Sequence, residues 1–244
     1  MTRDGRCVKA RPVRPKLMPV ISPSFVEEAF MIDLHTHSIF SDGGLIPSEL
    51  VRRAKVTGYR VIAITDHGDH SNVDFIIPRM VKVCQKIAAA YDIMVIPGIE
   101  LTHVPPSFIP ELAEEVRLMG ARIVVVHGET IVEPVIPGTN LAALRSPIDI
   151  LAHPGLVTEE EALLACRNSI SLEISTRRGH SLTNGHVVKM ARQFNAPLVL
   201  NTDSHVPEDL VTLEMARRIA LGAGMTEREI EAMFKNSESL ANRT

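Results

Sequence analysis

Seven short, β-branched apolar runs fall between Met31 and Asn201, each ending in a polar stop, and an amphipathic segment with a period near 3.6 separates each run from the next. The apolar runs fall at 31–34, 61–65, 93–96, 122–126, 148–152, 170–174 and 197–201 and are predicted as strands. Helices are predicted at 47–57, 73–91, 107–119, 139–144, 158–168 and 184–194, and two more, at 207–221 and 226–235, close the pattern. Thr158 with Glu161 and Thr226 with Glu229 have the spacing of a capping box, while Gly58 and Gly120 stand where helices stop. Strict alternation of strand and helix implies parallel strands joined by right-handed crossovers. That leaves two architectures, a barrel or a doubly wound open sheet.

The residues at the strand ends decide between them. The first strand runs into His35-Thr-His37 and a turn carrying Asp42, and the second into Asp66-His67-Gly-Asp-His70. The third leads to Gly98-Ile-Glu100, the fourth to His127, the fifth to His153-Pro and the seventh to Thr202-Asp203-Ser-His205. All of these polar sets lie at carboxyl ends. In an open sheet such ends form a line with strands about 4.8 Å apart, whereas a barrel closes them into a ring around one site. Imidazole and carboxylate donors from six of seven strands converge only in the ring, so the fold is read as an α/β barrel with a mixed nitrogen and oxygen metal centre.

Composition narrows the context. The net charge is −3 and the pI about 6.4, so no general basic field favours long nucleic acid. Cys7, Cys84 and Cys166 are odd in number and widely spaced, which fits free thiols and a reducing cytoplasm rather than a disulfide framework. No run approaches the roughly 20 apolar residues of a membrane span. Residues 1–30 differ from the remainder: Arg3, Arg6, Lys9, Arg11, Arg14 and Lys16 are interleaved with Pro12, Pro15, Pro19 and Pro23. They read as a basic, proline-rich arm, with 25–30 able to dock onto the barrel domain of 31–244.

The set His35-Thr-His37, Ser41-Asp42-Gly43, Thr65-Asp66-His67, Gly98-Ile-Glu100, His127-Gly, Ala152-His153-Pro and Thr202-Asp203-Ser-His205 closely resembles the polymerase and histidinol phosphatase (PHP) family. The likeness covers nearly all of 31–240, in the family's order. It implies a distorted (β/α)7 TIM-like barrel and hydrolysis of phosphate esters with two to three divalent transition ions, Zn²⁺, Mn²⁺ or Fe²⁺. By the resemblance, His35, His37, Glu100 and Asp203 hold one ion, and Glu100 bridges to a second completed by His127 and His153. Asp42, His67 and His205 hold the third.

Such a centre clamps phosphate oxygens and activates a bridging water for in-line attack on phosphorus, leaving Asp203, His205 or the third ion to assist the departing alkoxide. Asp66 is expected to support a ligand imidazole by accepting its free N–H. The sixth strand end contributes no ligand and is expected to face open cavity, so Arg177 or Arg178 is assigned as the anchor of the substrate phosphate and His180 as a further substrate contact on the rim. His70, His103 and His186 receive no ligand position, and Glu129 and Glu133 are read as loop carboxylates near His127. The favoured reaction is hydrolysis of a small phosphomonoester, with histidinol phosphate the family substrate that suits one domain. The alternative is a phosphodiesterase or 3'-5' exonuclease on nucleotides or short oligonucleotides, against which stand the absence of Trp and a count of only two Tyr. An amidohydrolase reading lacks the metal-bridging lysine it requires.

Overall fold

The computed structural model describes residues 30–243; the arm, apart from Phe30, lies outside the described residues. The strands are β1 (Met31–Asp33), β2 (Tyr59–Ile64), β3 (His67–Gly68), β4 (Met94–Leu101), β5 (Ile123–His127), β6 (Ile150–Ala152), β7 (Ser171–Ser175) and β8 (Leu198–Asn201). Seven of them run parallel in the order β1-β2-β4-β5-β6-β7-β8, and β3 adds a short pairing on β4. The ends of this sheet meet. Asp203 N donates to His35 O at 3.0 Å and His37 N to Ser204 O at 2.9 Å, with a parallel bridge between Thr36 and Ser204. Lower on the same seam, Leu34 N donates to the Asn201 side chain and Thr202 N to Asp33. The result is a nearly closed α/β barrel of the TIM-like kind.

Around it lie α1 (Pro47–Thr57), α2 (Val73–Tyr91), α3 (Ile109–Met119), α4 (Thr139–Leu144), α5 (Glu159–Asn168), α6 (Asn184–Phe194), α7 (Leu213–Gly222) and α8 (Glu227–Arg243). Gly58 and Gly120 end α1 and α3 in the left-handed conformation, and the Thr158–Glu161 capping box opens α5. Strand alternation sorts the apolar residues into two cores. Ile62, Ile64, Val124, Val126, Leu172 and Ile174 face the helices. Ile32, Leu34, Val61, Ala63, Ile96, Val125, Ile150 and Val199 form a second cluster that includes Leu240 and Ala241 of α8, with Phe30 and Met94 packed against it. This apolar filling supports the polar rim from below.

The structure departs from the sequence reading in four places. Strand β4 continues five residues past Ile96 to Leu101, so Glu100 sits inside a strand. Pro97 and Gly98 signal a stop, yet Pro97 accepts from Arg122 N, and Gly98 lies where an added Cβ would stand 2.7 Å from Thr65 Cγ2 and 2.8 Å from Ile123 O. Tight strand spacing, not a turn, demands that glycine. Strand β3 was too short to show a period. The helix expected at 207–221 is a 3-10 turn, Pro207–Asp209, followed after extended Leu210 by α7, which Thr212 caps. Finally, α8 runs on to Arg243 because Leu240 and Ala241 continue its apolar face into the barrel base.

Candidate metal centre

Every sequence-predicted metal ligand reaches one cleft at the carboxyl ends of the strands. Glu100 is its centre. Its Oε1 lies 3.3 Å from His35 Nε2, 3.3 Å from His127 Nδ1 and 3.6 Å from His153 Nε2, while Oε2 lies 3.7 Å from His37 Nε2 and 2.6 Å from His67 Nδ1. Asp203 faces it, with Oδ1 3.1 Å from His37 Nε2 and 3.7 Å from His35 Nε2. At the outer edge Asp42 Oδ1 approaches His205 Nε2 at 3.0 Å and His67 Nε2 at 3.3 Å. Ligand atoms group within 4.8 Å as His35–His37–Glu100, His35–His153–Asp203, Glu100–His127–His153 and His37–Asp42–His67–His205.

The local fold aims these groups. Asp66 accepts from Ser38 N, Ser38 Oγ and Ser41 Oγ at 2.7–2.8 Å, pinning the turn that carries Asp42. Those bonds correct its expected role, because they bind the turn rather than an imidazole. Gly43 completes the turn, since a Cβ there would stand 2.4 Å from His37 O. The imidazole support comes from Glu173, which the sequence reading passed over: it lies 2.8 Å from His35 Nδ1 and accepts from Asn201 Nδ2 and His153 N. Its signal was an acid at an inward strand position, on the same parity as Ser171 and Ser175. The sixth strand end is therefore filled near its base by a buried carboxylate and opens only beyond it. His153 (φ 28°) and Asp203 (φ 52°) take left-handed backbone conformations, the kind of strain held where side-chain direction matters.

Electrostatics favour cations. Burial alone would push the Glu100 carboxyl up, yet neighbouring His35 and His67 hold it well below its ordinary range. Asp203 and Glu173 are likewise held down against burial, chiefly by His35. His37 is driven down to about 3 by burial, so it presents neutral nitrogens. Against the opposing effect of burial, His67 rises to about 10 beside Glu100 and Asp42. His35 Nε2, both nitrogens of His37, His127 Nε2 and His153 Nδ1 are buried without a hydrogen-bond partner. Native interiors seldom leave such atoms unpaired. Ionised carboxylates that draw protons onto His67 and His35 draw a metal cation for the same reason, and imidazoles that give up those protons on binding complete a donor set that fits divalent transition ions.

The substrate candidates divide. Arg177 is half-buried, and its Nη1 donates to Asp203 O at 3.0 Å and lies 2.7 Å from His205 Nδ1. Arg178 is exposed. Both line a cavity of about 590 Å³ that His205, Thr202, Glu208 and Asp209 also border. His180 is buried inside the cleft, stacked on His153 at 4.0 Å, its Nδ1 2.8 Å from Thr130 Oγ1. Glu129 braces its own loop by accepting from Gly138 N and Asn140 N, and His186 lies 2.7 Å from Val157 O, away from the centre. Among the described residues no helix is long and apolar enough to cross a membrane.

The chain is similar to known proteins. Over 201 residues the chain is 50% identical to "Uncharacterized protein MJ1295" of Methanocaldococcus jannaschii, covering 82% of this chain and 92% of that protein. It is 26% identical over 249 residues to "Probable phosphatase Shewmr4_2619" of Shewanella sp. strain MR-4, covering 88% of each. In fold it matches a chain of an archaeal ribonuclease P bound to mature tRNA, with TM-score 0.63, 18% identity, and 85% and 90% of the two chains covered. The family model for the PHP domain matches residues 33–196, and on that match the chain belongs to the PHP family.

Proposed function

We propose that this cleft is the active centre of a metal-dependent phosphoesterase acting on a small phosphomonoester, with histidinol phosphate the first substrate to test. The convergence of partnerless, buried imidazole nitrogens on Glu100 and Asp203 carries the reading. Kinship with a protein named a probable phosphatase supports it. His35, His37, Glu100 and Asp203 would hold one ion, Glu100, His127 and His153 a second, and Asp42, His67 and His205 a third. Bound there, divalent ions polarise the phosphoryl group and lower the pKa of a coordinated water.

The chain's own residues supply the remaining roles. Glu173 fixes the His35 ring so that Nε2 faces Glu100 and Asp203. The Asp66 clamp holds Asp42 at the mouth, between His67 and His205. Arg177 and Arg178, on the wall of the adjoining cavity, offer guanidinium forks to phosphate oxygens. His180, stacked on His153 inside the cleft, contacts the substrate, and His205, beside the ionised Asp203 carboxylate, passes a proton to the leaving alkoxide. Among the described residues the cavity wall carries Glu208 and Asp209 and no Phe, Tyr or Trp, which suits a compact polar leaving group better than a stacked base.

The test is hydrolysis by the metal-loaded protein of histidinol phosphate, sugar phosphates, nucleotides, cyclic nucleotides and short oligonucleotides. A preference for one phosphomonoester supports the proposal. Cleavage confined to nucleotides or oligonucleotides overturns the substrate class and leaves the phosphodiesterase or exonuclease reading.

A further inference from the structure

Six described non-glycine residues have positive φ. Asp92, Ser169 and Asn195 simply terminate helices. The other three, His103, His153 and Asp203, all stand beyond strand ends on the face that carries the metal centre. Two of those already belong to the proposed ligand set. His103, at φ 53° just beyond β4, does not, and its ring is half-exposed at the rim.

What His103 faces is another donor group. The Glu133 carboxylate, reaching in from the loop after β5, has Oε2 3.7 Å from His103 Nε2 and 3.0 Å from His127 Nε2, while Oε1 lies 3.4 Å from His180 Nε2. His127 is almost fully buried, and its Nε2 is one of the atoms lacking a hydrogen bond of acceptable geometry. That atom points outward, away from the centre that its Nδ1 faces through Glu100. One ligand atom each from His103, His127 and Glu133 fits within 4.8 Å.

We propose that His103, Glu133 and the outward nitrogen of His127 form a separate rim site for a divalent transition ion, in addition to the ions held around Glu100. Two imidazoles and a carboxylate converging on one point are a donor set suited to Zn²⁺, Co²⁺ or Mn²⁺, with solvent completing the shell. The His127 ring then lies between the two sites, Nδ1 inward and Nε2 outward. When both are filled the ring is an imidazolate, and its remaining proton leaves to solvent. The rim position is the more exposed, so its ion is the weaker bound and the first to exchange.

The site is tested by equilibrium dialysis of the full chain against Co²⁺, with bound metal counted by elemental analysis and followed by its visible spectrum. Wild-type protein should bind one equivalent more than either His103→Ala or Glu133→Gln, and the spectrum should lose its weakest-binding component in both variants. Circular dichroism confirms that the variants are folded. Equal stoichiometry and affinity in wild type and His103→Ala overturns the rim site. A loss in Glu133→Gln alone also overturns it, since Glu133 would then act only by orienting His127. The failure of the inner centre looks different: wild type would bind one ion at most, and His103→Ala would remove it.

Discussion

At the scale of single residues, Glu100 and Glu173 look alike in the sequence and act differently in the fold. Both are fully buried acids held ionised by histidines. Glu100 faces five imidazoles, whereas Glu173 reaches one ring nitrogen and two N–H donors. Glu100→Gln should therefore remove at least one equivalent of metal and lower turnover by orders of magnitude. Glu173→Gln should keep the full number of sites but weaken metal affinity about 10- to 100-fold; metal titrations of the two variants check the contrast. The motif residues were legible because His-x-His, Gly-Ile-Glu and Asp-Ser-His put donors at fixed offsets from apolar runs. Glu173 was harder to read: its inward strand parity marks a buried acid, but nothing local names its partner, His35, which lies 138 positions away. Arg177 and Arg178 sit on the cavity wall as the loop sequence suggested. Each Ala variant should depress kcat/KM for a phosphomonoester roughly 10- to 100-fold, equivalent to about 1.4–2.7 kcal/mol, with metal content unchanged.

At the scale of elements, strand and helix identity followed from period, and strand ends did not. Pro97 and Gly98 broke the apparent run, while inter-strand contacts carried β4 through them. The Pro207–Asp209 turn also escaped the sequence, because Asp209 is drawn into accepting from His205 N and Val206 N, a bond set that serves the site rather than a helix. Gly98→Ala puts a methyl group against backbone Ile123 O as well as Thr65, so it should destabilise the barrel by about 1–3 kcal/mol. Urea denaturation measures this. An unchanged midpoint would mean that β2, β4 and β5 can separate without cost.

At the scale of the whole molecule, barrel closure was legible because only a ring gathers six strand ends, and the seam that achieves it was not. Asp33 belongs to that seam. Burial pushes its carboxyl up to about 7, against the hydrogen bonds it accepts from Thr202 and His35 N. A carboxyl with a higher pKa in the folded than in the unfolded chain binds its proton more tightly when folded. Its contribution to stability is present below about pH 4 and declines as pH rises towards 7. Asp33→Asn should remove that decline, so the difference in urea midpoint between variant and wild type should grow in the variant's favour from pH 4 to pH 7.

The central claim joins the donor cluster to phosphate-ester chemistry, and one titration tests it. Chelator-treated protein is titrated with Mn²⁺ or Zn²⁺ while phosphate release from a phosphomonoester is followed. Activity should be absent at the start, rise as roughly two to three equivalents bind, and fail to appear in Glu100→Gln. No phosphate release at any loading of Mn²⁺, Zn²⁺ or Fe²⁺, from a barrel that remains folded and across the full substrate panel, would contradict the account.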